Sequence, residues 1–492
     1  MKRSQGILMP VFSLPSPHGI GTLGKEAYRF IDFLSASGQK YWQLLPMGPT
    51  SFGDSPYQSF STFAGNPYFI DPDILEEEGL LLKGEAASFD SGAEEDRVDY
   101  EWLYNTRFTL LHKAFERGFI KHKEEVQEFC TQNPWLNDYA LFMSIKGAFG
   151  NAALSGFPEA LRKRDAKALD EFSLLHEDEI DFWKFVQFLF YRQWDSLRAY
   201  ARKKEISFIG DLPIYVSMDS ADVWAEPENF LLDEELKPKA VAGVPPDAFS
   251  DEGQLWGNPL YDYEYMKTDG YGFFIRRIGG AAKLYDVIRI DHFRGFDSYW
   301  SIPCGSSSAK CGEWKKGPGI EFVKVITSWF HDIEFIAEDL GIITPSVREL
   351  LKESGLPGMK VLEFAFENGE ESQYLPHNMC ENSICYTGTH DNDTLAGYVR
   401  SLSRRDLRFA KRYLGVKSSK ELPDALIRQG MMSPSKLFVM QVQDILGLSG
   451  KSRINTPGTL GGNWAWRMTK KDSARLWELS HDLLIKTKTY FR

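Results

Sequence analysis

The chain has 492 residues, 43% of them hydrophobic and 14% aromatic, which supports a large buried core. A formal net charge of −12 at pH 7 excludes the broad basic surface that nucleic acid or an anionic membrane would need. No apolar run approaches the roughly 18 residues of a membrane span, and Cys130, Cys304, Cys311, Cys380 and Cys385 form no C-x-x-C pair, so a cytoplasmic protein with reduced thiols is expected.

Residues 6–14 read as a strand, and residues 25–37 as an amphipathic helix with Ala27, Phe30, Ile31 and Leu34 on one face. Between them Gly19-Ile20-Gly21-Thr22-Leu23-Gly24 matches the G-x-G-x-x-G of dinucleotide sites. The spacer Pro15-Ser16-Pro17-His18 delays the first Gly, and the next strand, 41–45, ends in Pro46 with no acid to hold a ribose. A nucleotide site is therefore disfavoured. Residues 71–205 are acidic and rich in helical signals, ending in aromatics at helical spacing over 182–200. They read as an inserted, mainly helical subdomain whose aromatics are core.

Further strands are expected at 207–212, 287–290, 334–337, 360–364, 384–387 and 437–442, with amphipathic segments at 320–330 and 346–354. With the first two strands these make an α/β chain of eight alternating units, the pattern of a closed (β/α)8 barrel, here one catalytic unit over 1–492. Residues 217–280, with Pro245-Pro246-Asp247 and Gly257-Asn258-Pro259, read as an insertion of loops over the barrel mouth.

Chemistry gathers at 287–296. Side chains alternate along a strand, so Arg289 and Asp291 point the same way. A guanidinium beside a carboxylate lowers the acid's pKa, and an ionised, oriented Asp is what a covalent nucleophile needs. On this stretch alone a structural salt bridge reads equally well. The other strand ends decide between them: Asp211, Glu338-Asp339 and Asp391 also fall just past strands, where a barrel carries its active site. Such a ring fits a metal site joined by His292 and His390, or glycosyl transfer by a carboxylate nucleophile and a protonated acid. Arg289 and Arg294 beside Asp291 favour the second, because they would repel a cation.

Several segments carry a family resemblance: Gly53-Asp54-Ser55-Pro56-Tyr57-Gln58-Ser59-Phe60-Ser61, Ala64-Gly65-Asn66-Pro67, Gly210-Asp211-Leu212-Pro213-Ile214-Tyr215-Val216, Gly243-Val244-Pro245-Pro246-Asp247, Ala337-Glu338-Asp339-Leu340-Gly341 and Thr389-His390-Asp391-Asn392-Asp393-Thr394. With 287–296, they resemble the 4-α-glucanotransferases (amylomaltases, disproportionating enzymes) of glycoside hydrolase family 77 in the α-amylase clan. The resemblance implies that Asp291 is the nucleophile, Glu338 the general acid/base and Asp391 a third carboxylate gripping sugar hydroxyls. It implies sugar contacts from Tyr57, Ser55, Asp211, Arg289, His292, His390 and Asn463. Trp256, Asp339 and Phe364 would lie toward the acceptor. The implied substrates are α-1,4-glucans (maltodextrins, glycogen or starch), with glucose or a maltooligosaccharide as acceptor and neither metal nor organic cofactor. Where the family carries an acceptor-side Asp after Phe366, this chain has Glu367-Asn368. An α-amylase-type hydrolase is the alternative, but such enzymes carry a C-terminal β-sandwich, and the residues after Asn463 read as helical.

Overall fold

Eight buried strands close into a barrel in the computed structural model, which describes residues 2–51, 53–89, 95–246, 252–367, 371–459 and 461–492. In chain order the strands are β1 (Ser4–Leu8), β2 (Tyr41–Gln43), β3 (Ser207–Leu212), β4 (Ala240–Val244), β5 (Gln254–Pro259), β6 (Val287–Ile290), β7 (Ser298–Pro303), β8 (Glu313–Lys316), β9 (Glu334–Ala337), β10 (Gly358–Val361), β11 (Ser383–Tyr386) and β12 (Leu437–Gln441). The barrel runs β1-β12-β11-β10-β9-β6-β3-β2 with neighbours parallel. Its strands read as continuous apolar runs because both of their faces are covered.

Expected strands overrun the observed ones, 41–45 by two residues and two others into short helices. Pro10 ends β1, and Val11–Ser13 turn as a short 3₁₀ helix; Leu362–Phe364 do the same after β10. The helix Lys25–Ala36 buries Ala27, Phe30, Ile31 and Leu34 against the barrel. There the Phe30 and Phe208 rings flank Trp42 at 4.8 and 5.5 Å. Helices fill the interval between β2 and β3, the longest being Glu177–Lys203. That helix buries Phe182, Phe185, Phe190 and Trp194 in the same apolar cluster as the barrel.

The stretch 217–280, expected as loops, contains two strands and the helix Gly272–Leu284, which packs on β3 and β6. β4 and β5 join β7 and β8 in an antiparallel sheet of order β5-β4-β7-β8. The sheet is thus built from two separate excursions, one after β3 and one after β6. Asp247 lies outside the described residues.

No helix among the described residues is long and apolar enough to cross a membrane. All five cysteines are free thiols. The glycine motif is explained by packing: a Cβ on Gly21 would sit 1.8 Å from the Val11 carbonyl oxygen, and one on Gly24 1.9 Å from an Asp71 carboxylate oxygen.

Candidate active site

Strand register builds the site. Ile290 of β6 pairs with Ala337 of β9, and Arg289 with Asp211 of β3. The residues that follow, Asp291 and Glu338, therefore leave adjacent strands side by side. The ladder continues past the strand ends, with Asp291 N donating to Leu212 O at 3.1 Å and Glu338 N to Ile290 O at 3.0 Å. Both acids line a cavity of about 500 Å³ at that rim.

Arg289 binds two acids at once. Its Nη1 donates to both Asp211 oxygens at 2.6 and 2.7 Å and to Asp291 Oδ1 at 3.0 Å. The Asp211 side chain has no exposed surface, whereas Asp291 keeps 23% exposure toward the cavity. This division corrects the simple picture of an arginine holding Asp291 ionised. Burial pushes the Asp291 carboxyl well above the usual range; Arg289 pulls it down, but Asp211, Glu338 and Asp391 push it up again. A guanidinium shared with a second, deeper carboxylate does not fully offset the desolvation of Asp291.

Glu338 is held by main chain. Oε2 accepts from His292 N at 2.7 Å and Oε1 from Leu340 N at 2.8 Å. His292 reaches that position in a left-handed backbone conformation, φ +46° and ψ +46°. A non-glycine residue there costs on the order of 1–3 kcal/mol and persists where the surroundings over-determine it. Burial raises the Glu338 carboxyl, while Arg289 and the two amide donors lower it in part. Burial also pushes the His292 imidazole down to about 3, with Arg294 acting the same way, so it is neutral near pH 7.

A second group surrounds Asp391. Tyr57 Oη donates to Asp211 Oδ2 at 2.8 Å and lies 3.0 Å from His390 Nε2. A hydroxyl has one proton, so His390 donates to Tyr57 and carries its proton on Nε2. That nitrogen is also 3.4 Å from Asp391 Oδ2. The rings of Tyr57 and His390 stack at 5.3 Å and 24°. Trp256 meets the His292 ring edge-on at 5.0 Å.

Of the residues singled out by sequence, Ser55, Tyr57, Trp256, Arg289, Asp291, His292, Glu338, Phe364, His390, Asp391 and Asn463 line the cavity. Asp211 lies beneath it and meets the site through Arg289 and Tyr57. Asp339 points away, accepting from Met359 N at 2.6 Å, with its carboxyl raised to about 6 by burial. Asn463 lines the cavity, yet its amide is engaged with Thr456 and Thr459 in its own loop. Asn368 falls outside the described residues. Among the described residues the one set with ligand-like spacing for a metal is His18, Asp71 and Asp73. None of the three lines the cavity, and Asp71 is occupied in capping the helix Pro72–Glu77 and accepting the Thr22 hydroxyl.

A family model described as 4-alpha-glucanotransferase matches residues 9–472. The chain belongs to the 4-alpha-glucanotransferase family. A 4-alpha-glucanotransferase of Thermus thermophilus is 47% identical over 481 residues, covering 95% of each chain. One from Clostridium butyricum is 43% identical over 98% of this chain and 100% of its own. Among solved structures, the amylomaltase of Streptococcus agalactiae in complex with acarbose aligns with a TM-score of 0.97 at 41% identity, covering 100% of both chains.

The structure adds to this candidate site of a 4-alpha-glucanotransferase family member two residues that sequence reading missed. Asn455 Nδ2 donates to Asp391 Oδ1 at 2.6 Å, and its backbone N donates to His390 O at 3.1 Å. Arg453 bonds the Asp391 carbonyl and, through Nε, the Asn455 carbonyl at 2.7 Å. The available signal was positional: Arg453 and Asn455 lie beyond the last barrel strand, beside a Pro457-Gly458 turn that brings the chain back over the rim.

Proposed function

We propose that the enzyme transfers a segment of an α-1,4-glucan to the 4-hydroxyl of glucose or another glucan by a retaining double displacement. The observation that carries this reading is the pairing of Asp291 and Glu338 on adjacent strand ends in one open cavity. Asp291 attacks the anomeric carbon as the C1–O4 bond breaks, and Glu338 gives its proton to the departing O4. A covalent glycosyl-enzyme remains. Glu338, now a carboxylate, takes the proton from an acceptor 4-hydroxyl, whose oxygen attacks C1 and frees Asp291. Retaining enzymes hold the two carboxyl groups about 5–5.5 Å apart, a spacing that neighbouring strands readily supply.

The remaining residues take roles around the bond that breaks. Asp391, held by Asn455 and by His390, grips hydroxyls of the sugar being transferred; Arg289 and His292 line the same pocket. Tyr57 and His390 provide a flat edge against that sugar, with Ser55 beside them. Trp256 and Phe364 lie toward the acceptor, and Asn463 shapes the loop that closes one side.

With maltotriose as sole substrate, the expected products are glucose and a ladder of longer maltodextrins, read by chromatography. Reducing ends that rose in step with consumption would replace transfer by hydrolysis.

The pH profile should carry the mark of the carboxyl pair. Asp291 and Glu338 both lie above their ordinary range, so the values read from kinetics belong to the pair. As pH falls, the pair takes up its second proton and the nucleophile is lost; as pH rises, the last proton leaves and the departing oxygen goes unprotonated. A bell is expected with both limbs displaced upward from free carboxyls. An alkaline limb at or below about pH 4.5 would contradict the burial argument.

A further inference from the structure

Trp314 is exposed and lies outside the core. It lies on β8, whose residues are all exposed; the residue is 41% exposed, and among the described residues it joins neither buried apolar cluster. A lone exposed apolar side chain is ordinary at a protein surface; what sets this one apart is how it is held and what it lines. The ring is nevertheless held firmly. Trp300 faces it across the β7–β8 pair, edge to face at 5.1 Å and 67°. Trp300 in turn donates its Nε1–H to Ala309 O at 2.8 Å and packs on Val241, Ile302 and Ala309. The Arg294 guanidinium lies 4.0 Å from the Trp314 ring centroid. That guanidinium is buried and fixed, donating to Ile342 O at 2.5 Å and to Ser298 Oγ at 3.0 Å. Trp314 also lines the cavity that holds Asp291 and Glu338.

We propose that Trp314 is a sugar-stacking platform on the acceptor side, selecting longer acceptors over glucose. A pyranose ring presents a face of C–H groups, and an immobilised indole offers it apolar area at little entropic cost. The side follows from the chain path. Glu338 serves the oxygen shared with the acceptor, and Ile342, in the segment just after Glu338, holds the arginine on which Trp314 rests. The sugar that reaches Trp314 has therefore passed Glu338, away from the pocket of Asp391 and His390. This inference rests on the transferase reading given above.

The test is an acceptor series at fixed, saturating donor, comparing glucose with maltotetraose for wild type, Trp314→Ala and Trp314→Phe. The ratio of kcat/KM for maltotetraose to that for glucose should fall about tenfold in Trp314→Ala, mainly through KM for the long acceptor, and recover in large part in Trp314→Phe. An unchanged ratio overturns the proposal. So does an equal loss on both acceptors, which would mark a structural role. A fall in the ratio that the Phe variant does not relieve also overturns it, because stacking needs only an aromatic face. Failure of the transferase reading is distinguishable: wild-type enzyme would then pass the glycosyl unit to water, and reducing ends would rise whatever the acceptor.

Discussion

An Asp291→Ala enzyme is expected to lose activity on maltodextrin and on α-maltosyl fluoride alike, by roughly four orders of magnitude or more, because no nucleophile remains in the bond-breaking step. Glu338→Ala should separate the two substrates. Fluoride leaves without a proton, whereas a sugar alcohol needs one. The Glu338 variant should therefore still form the glycosyl-enzyme from the fluoride while losing roughly 10²–10⁴-fold on maltodextrin. Lacking a base for the second half, it should accumulate the β-linked glycosyl-enzyme, visible by mass spectrometry, and azide, entering from the acceptor face, should release an α-linked glycosyl azide. Equal loss on both substrates with no trapped adduct would remove Glu338 from the role of acid. Asp391, which lines the cavity, would be the next candidate, ahead of Asp339, which does not.

Replacing Arg289 with Met should cost both fold and function. Its guanidinium is the shared partner of Asp211 and Asp291, and the Asp211 side chain is wholly buried. Removing one member of a buried ion pair leaves an uncompensated charge and costs roughly 3–5 kcal/mol. Urea unfolding should show that loss, and transfer activity should fall with it, since Asp291 loses its anchor. Adding Asp211→Asn to Arg289→Met should restore a large part of the stability. Restored stability without restored activity is the expected outcome. A single variant as stable as wild type would refute the shared-cation account.

Much of this was legible in the sequence, for identifiable reasons. The barrel strands are short apolar runs bounded by turn residues, so burial on both faces left a clear mark. Strand alternation placed Arg289 beside Asp291. Alternation also carried information about Asp339: its immediate neighbour Glu338 faces the cavity, so Asp339 faces the other way. The small antiparallel sheet left no such mark. β8 reads Glu-Trp-Lys-Lys and is exposed throughout, and β4 is five residues interrupted by Gly243. Strands like these are defined by their partners rather than by their own pattern. The state of Asp291 was the other gap. A sequence shows that an arginine is near, but not that a second, deeper carboxylate competes for it.

The way Glu338 is gripped has a consequence for anyone mapping this enzyme by mutation. Its two hydrogen-bond donors are the main-chain amides of His292 and Leu340, which every amino acid except proline carries. An alanine scan will therefore miss them: Leu340→Ala deletes a side chain and leaves the amide in place. At position 340 this hold on the proton donor is shielded from nearly all single-codon change, whereas at 292 the left-handed backbone narrows the choice to residues that tolerate it.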